Sequence, residues 1–184
     1  MRARYREDKA TQVAARLLRL RGGRMSHLKL IKLLYMVERE ALLRFARPII
    51  NDSLVSMPYG PVVSATLDRI NSPELYAADG YWSKYITPKQ NNEVSLRDGD
   101  DVPNGMLSAA DEALIDDVFR KYGHLDRWTL VKLTHDLPEW EDPNGSSTPI
   151  DPGTILLNEG FSEEEVAEIR GNWEESALAA ALFG

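Results

Sequence analysis

The chain carries three imidazoles, His27, His124 and His135. No two of them stand three or four residues apart, the spacing that sets two ligands on one helical face. His135 precedes Asp136, residue types that elsewhere form a base and its orienting carboxylate, but adjacent residues on a helix point in different directions. Carboxylates are plentiful, among them Asp100-Asp101, Asp116-Asp117 and Glu163-Glu164-Glu165. Sequence neighbours do not make an acid–base pair, which needs two different environments across a substrate. Asp111, Asp116 and Asp117 are expected on the solvated side of a helix. The chain has no G-x-S-x-G, H-E-x-x-H, P-loop or G-x-G-x-x-G pattern. It also lacks cysteine, which removes thiolate chemistry, disulfides and cysteine-bound zinc. Neither an enzymatic activity nor a cofactor is expected.

What stands out instead is apolar and aromatic content in irregular segments. Tyr59-Gly60-Pro61 is a turn that presents a large amphipathic side chain, and Trp140 follows a helix stop at Pro138. Phe161, Trp173 and Phe183 decorate the last helical segment, whose end, residues 176–184, is uncharged. Aromatic anchors on turns and helix ends are how interfaces draw energy from few residues. Trp82, Trp128 and Trp140 are expected to complete the protein's own core.

These side chains are positioned by mainly helical elements. Residues 8–20 place Val13, Leu17 and Leu18 near one helical face, and Gly22-Gly23 stops that helix. Ser26 is expected to N-cap a second helix over 27–45, with Leu30, Leu33, Leu34 and Val37 as its core stripe and Pro48 beyond its end. Residues 49–55 read as extended and lead into the rigid Met57-Pro58-Tyr59-Gly60-Pro61 segment. A short helix over 62–70 follows, with Pro61 in its first turn. The segment 81–87 is aromatic and β-branched and 93–97 alternates polar with apolar, so the two are expected to form a β-hairpin, left by an acidic loop over 98–105. Ser108 with Asp111 signals a helix to about Tyr122, and Asp126 caps another that Pro138 stops. Asp151-Pro152 opens a short helix, and Ser162 with Glu165 opens the last one, through Val166, Ile169 and Trp173. The fold class expected is α+β, predominantly α: about seven helical segments and one small β-hairpin.

With 184 residues and 43% hydrophobic content, the chain suits a single domain over residues 1–184. Its net charge of −7 is unevenly spread. Residues 1–50 hold 13 Lys/Arg against 4 Asp/Glu, a net of +9, and the remaining 9 against 25 give −16. Opposite signs pairing within one domain account for this, and nothing in the basic part interleaves aromatics in the manner of a base-stacking surface. Nucleic acid is therefore not the expected partner. No run approaches the ~18 apolar residues of a membrane span, and residues 1–8 lack the apolar stretch of a secretory signal. A cytoplasmic location without membrane attachment is expected.

Three stretches, taken together, carry a resemblance. They are Leu30-Ile31-Lys32-Leu33-Leu34-Tyr35-Met36-Val37-Glu38-Arg39; Phe45-Ala46-Arg47-Pro48-Ile49 followed by Met57-Pro58-Tyr59-Gly60-Pro61-Val62-Val63; and Leu133-Thr134-His135-Asp136 with Pro138, Trp140 and Asp142, then Ile150. In that order they resemble the Panacea domain, the SocA-like antitoxin family formerly called GepA-like, over a core of about residues 26–169. An N-terminal helix precedes that core and a C-terminal helix extends it. The resemblance implies an antitoxin of a bacterial or phage toxin–antitoxin system that neutralises a cognate toxin by direct binding. Two other roles remain open: an adaptor that delivers the toxin to a ClpXP-type protease, and a DNA-binding autoregulator. Partner choice is expected to vary in the Trp82 segment and the C-terminal helix. The candidate contact residues are Tyr59, Trp82, Phe161, Trp173, Leu178, Leu182 and Phe183. The Tyr59-Gly60-Pro61 turn and Arg47 are expected to hold the second helix against the third.

Overall fold

The computed structural model describes residues 4–76, 79–97 and 101–183. Helix α2 (His27–Phe45) is its axis, with 13 of 19 residues buried. The i, i+3, i+4 spacing of Leu30, Leu33, Leu34 and Val37 buries one face; Ile31, Tyr35, Met36 and Leu42 bury the rest. A helix buried nearly all round must be wrapped, and its neighbours do so. Helix α1 (Glu7–Leu20), α5 (Ala109–Tyr122) and α6 (Arg127–His135) pack around it, together with α7 (Pro152–Asn158). The core cluster runs continuously from Ala10 to Ile169.

The fold is predominantly α with a small antiparallel β part. Strand β1 (Arg24–Ser26) pairs with β4 (Glu93–Ser95), and β2 (Leu54–Met57) sits between β3 (Gly60–Val63) and β5 (Thr148–Pro149). The expected hairpin over 81–97 is corrected in its first arm: Tyr81–Tyr85 forms helix α4. Trp82, Tyr85 and Ile86 are buried at i, i+3 and i+4, a helical rather than alternating face, and a Glu7 oxygen accepts from the Trp82 amide at 2.9 Å at the helix start. What survives of the hairpin is a turn at Asn91 and Asn92, both at positive φ, closed by a bridge between Gln90 and Glu93, with a second bridge between Ile86 and Leu96 and backbone bonds from Thr87 to Ser95 and from Arg97 to Tyr85. The β4 arm pairs mainly with β1 instead.

The proline-rich segment forms the hairpin that sequence reasoning missed. Met57 pairs with Gly60 across a turn made by Pro58 and Tyr59. Gly60 has φ +90°, and a Cβ there would lie 2.7 Å from Thr134 Oγ1. Pro61 therefore belongs to β3, and helix α3 (Ser64–Asn71) starts later than expected. Asp52 caps it, accepting from the Ala65 and Thr66 amides.

Charge pairing joins the two differently charged parts of the chain. Arg16 of α1 meets Asp116 at 2.7 Å, Arg44 of α2 meets Asp117 at 2.9 Å, and Arg47 meets Asp111 at 2.8 Å. Asp111 is 1% exposed, so its expected solvation is corrected. It completes the capping box with Ser108 and ties the end of α2 to α5, not to α3. Lys29 donates to the Gly123 and Leu125 carbonyls at the C-terminal end of α5. Ser26 precedes α2, but its hydroxyl makes no cap bond and is buried without a partner. Asp151 likewise makes no side-chain cap bond at α7; it pairs with Arg170 of the last helix, α8 (Glu163–Phe183). The first residues of the expected acidic loop, 98–100, lie outside the described residues.

Candidate functional site

The residues with chemical potential are spent on holding elements together. His135 closes α6 with Nε2 donating to the Pro58 carbonyl at 3.1 Å and its ring against Trp140, centroids 4.2 Å apart. Asp136, one residue on, is exposed and its amide returns to Leu133 O, so the pair forms no base–orienter arrangement. His27 Nδ1 donates to Asn92 O at the β4 turn, and burial lowers its pKa. His124 is exposed. Among the described residues no three of His, Asp and Glu converge as metal ligands.

A buried polar network runs along one side of α2. Lys32 is 0% exposed and donates to the Pro61 carbonyl at 2.8 Å; burial pushes its pKa down to about 7. One turn along, the Tyr35 hydroxyl donates to Glu139 Oε1 at 2.7 Å, and Arg39 Nε reaches the same oxygen at 2.8 Å. Arg39 also pairs with Glu159 just beyond α7. Burial alone opposes the Arg39 charge, but its two carboxylate partners outweigh that and raise its pKa. Burial raises the Tyr35 pKa, and Glu139 raises it further. Glu38 is 1% exposed and accepts from the Ile49 and Ile50 amides at 2.7 and 3.1 Å, capping the chain where it leaves α2. Burial lifts its carboxyl to about 7 despite those donors.

Three donors fix the hairpin turn. Lys32 holds the Pro61 carbonyl, His135 holds that of Pro58, and Trp140 Nε1 donates to that of Met57 at 3.1 Å. The turn thus joins α2 to α6, which corrects the expectation that it braces α2 against α3. Tyr59 is left projecting, 61% exposed. Its ring stands edge-on to Trp128, with centroids 6.1 Å apart and planes at 64°. Trp128 is 54% exposed, against the expectation of a core position, because Asp126 caps α6 and turns the second helical residue outward.

The other expected contact residues divide by burial. Trp82 is 4% exposed and belongs to the core, so it offers no face to a partner. Phe161 and Trp173 are half-buried against the core, and Trp173 Nε1 donates to Ala46 O at the end of α2. Leu178 and Leu182 are 54% and 67% exposed on the last turns of α8. The Phe183 side chain lies outside the described residues. The structure thus brings Tyr59 together with Trp128, and places Leu178 and Leu182 one turn apart on α8.

A cavity of about 370 Å³ lies under α8, lined by Glu38, Asp52, Ile150, Arg170 and Trp173 among others. Three of its carboxylates are engaged as follows: Glu38 with amides, Asp52 with the start of α3, and Asp151 with Arg170. No helix among the described residues is long and apolar enough to cross a membrane.

Sequence reasoning missed Glu139 and the exposure of Trp128. A signal for the first existed, because Tyr35 and Arg39 stand four apart inside an apolar stripe and a buried arginine demands a carboxylate. No curated protein and no solved structure matches the chain. The domain described as antitoxin SocA-like, Panacea domain, matches residues 30–141. That span begins at Leu30 of α2 and runs through the hairpin and α6 to the residue after Trp140, enclosing Lys32, Tyr35, Arg39, the turn and Glu139. The chain belongs to the SocA-like antitoxin family with a Panacea domain.

Proposed function

We propose that this protein is an antitoxin that neutralises a cognate toxin by direct protein–protein binding in the cytoplasm, without catalysis. The observation that supports this best is the fate of the matched segment's polar residues. Lys32, Tyr35, Arg39, His135, Glu139 and Trp140 are turned inward and bond to one another or to the backbone. They build a scaffold, and what that scaffold displays is apolar surface at Tyr59 and Trp128, with Leu178 and Leu182 on α8. A scaffold that displays aromatic and aliphatic anchors suits binding.

The test is co-expression with the product of the adjacent gene, scored by growth and by co-purification. Growth rescue with a complex of fixed stoichiometry is expected. A toxin that stays active at comparable levels of this protein would overturn the proposal for that toxin. Rescue accompanied by protease-dependent loss of the toxin, with no stable complex, would replace it with the adaptor role.

A further inference from the structure

The turn that displays Tyr59 is fixed on both sides. The carbonyls of Met57, Pro58 and Pro61 are held by Trp140, His135 and Lys32, while the Tyr59 side chain faces solvent. Ordering an aromatic side chain before binding removes much of the entropy that an interface would otherwise have to supply. Trp128 stands beside it on α6, and Lys132 and His135 follow at four and seven residues, on the same face. His135 touches the turn itself, so this face lies along the hairpin.

The charges around this platform are unbalanced in one respect. Arg127 lies over the Trp128 ring at 5.4 Å, and neither it nor the exposed Lys132 forms an ion pair among the described residues. The nearby carboxylate of Asp126 is committed to the Trp128 and Thr129 amides and the Thr129 hydroxyl. Asp136 lies four residues beyond Lys132 and does not close on it. Arg16, Arg39, Arg44 and Arg47 all find carboxylates within the chain. By contrast, the α6 cations stay open in an acidic stretch of sequence.

We infer that Tyr59, Trp128, Arg127 and Lys132 form a docking platform for an acidic segment of the partner protein. An apolar side chain of that segment seats against the two rings, and separate neighbouring carboxylates meet Lys132 and Arg127. The inference rests on the antitoxin reading and names the chemistry of its partner. A polyanion such as RNA fits less well. Residues 51–184, which hold the platform, carry a net −16, and the edge-on rings leave no parallel slot for a base. The apolar end of α8 has no comparable charges, and nothing about it specifies a partner's chemistry.

The test is a binding titration of the full chain against the purified product of the adjacent gene, with thermal melts of every variant. Trp128→Ala is expected to weaken binding on the order of 30-fold. Lys132→Glu is expected to weaken it about 10-fold and to flatten its salt dependence. Both residues are exposed, so melting temperatures should stay at the wild-type value. Leu75→Ser, at an exposed leucine in the segment between α3 and α4, serves as the control and should bind like wild type. If both platform variants bind within 2-fold of wild type, the platform is overturned and the antitoxin reading stands. If the wild-type chain binds nothing, the antitoxin reading falls and the platform with it. Binding of a 12-nucleotide uridine oligomer that Trp128→Ala abolishes would make the surface a nucleic-acid site and overturn the inference.

Discussion

Helices α2 and α8 are almost equal in length, 19 and 21 residues, and use their side chains in opposite ways. Helix α2 buries Lys29, Lys32, Glu38 and Arg39 along with its aliphatic stripe. Helix α8 buries Val166, Ile169 and Ala177 but leaves Leu178 and Leu182 in water. Ranked by hydropathy alone, the charged set would be outside and the leucines inside. The difference is one of partners. Each buried polar group of α2 meets a carbonyl, amide or carboxylate supplied by an element that packs on it, which turns a cost into a specification of which element sits where. Among the described residues no such element covers the end of α8.

The sharpest way to break this comparison is to remove the shared acceptor. Glu139→Ala strands the Arg39 guanidinium and the Tyr35 hydroxyl in the core, and urea unfolding should register a loss of about 3–5 kcal/mol. A loss below ~1 kcal/mol would mean that the network is incidental.

The next test uses pH. Lys32 titrates near 7 in the fold against 10.5 in its absence, so the unfolded chain holds more protons between those values and stability rises with pH across that window. Glu38 titrates near 7 against 4.5, so the folded chain holds more protons and stability falls as pH climbs from 4.5 to 7. The Glu38 limb is worth about 3 kcal/mol and the Lys32 limb about 5, and the two costs coincide near neutrality. Relative to wild type, Lys32→Met should flatten the alkaline limb and Glu38→Gln the acid one. Unchanged slopes would show that neither group is as desolvated as its position implies.

A smaller loss, on the order of 2 kcal/mol, is expected for Gly60→Ala in thermal melts, from the positive φ and the approach to Thr134. Smallest of all should be Leu178→Ser and Leu182→Ser, within about 0.5 kcal/mol of wild type. A larger loss at either would show that the end of α8 is covered by its own domain after all.

Much of this contrast was legible in the residues. Helix α2 spans the expected 27–45, and the capping signals at Ser108 with Asp111, Asp126, and Ser162 with Glu165 all form in space. These are local, so their physics is complete within a few residues. The larger failures are non-local. Strand β4 finds β1 nearly seventy residues earlier in the chain, and no local pattern in a three-residue strand announces that pairing. Residues 81–85 favour strands by composition, yet they coil because Trp82 and Tyr85 bury one helical face together and Glu7 caps their start. Trp128 looked like core by residue type. The cap at Asp126 fixed the helix phase, and phase, not hydrophobicity, set its direction.

The spacing of the α2 network has a consequence for synthesis. Arg39 meets a carboxylate 100 residues later in the chain and another 120 residues later. Translated at about 5–20 residues per second, the nascent chain waits roughly 5–20 s between making Arg39 and making Glu139. Trp140, which holds one side of the Tyr59 turn, comes one residue after that. A newborn chain therefore acquires its fixed turn only once synthesis has passed Trp140, and no copy presents Tyr59 in its final pose before that.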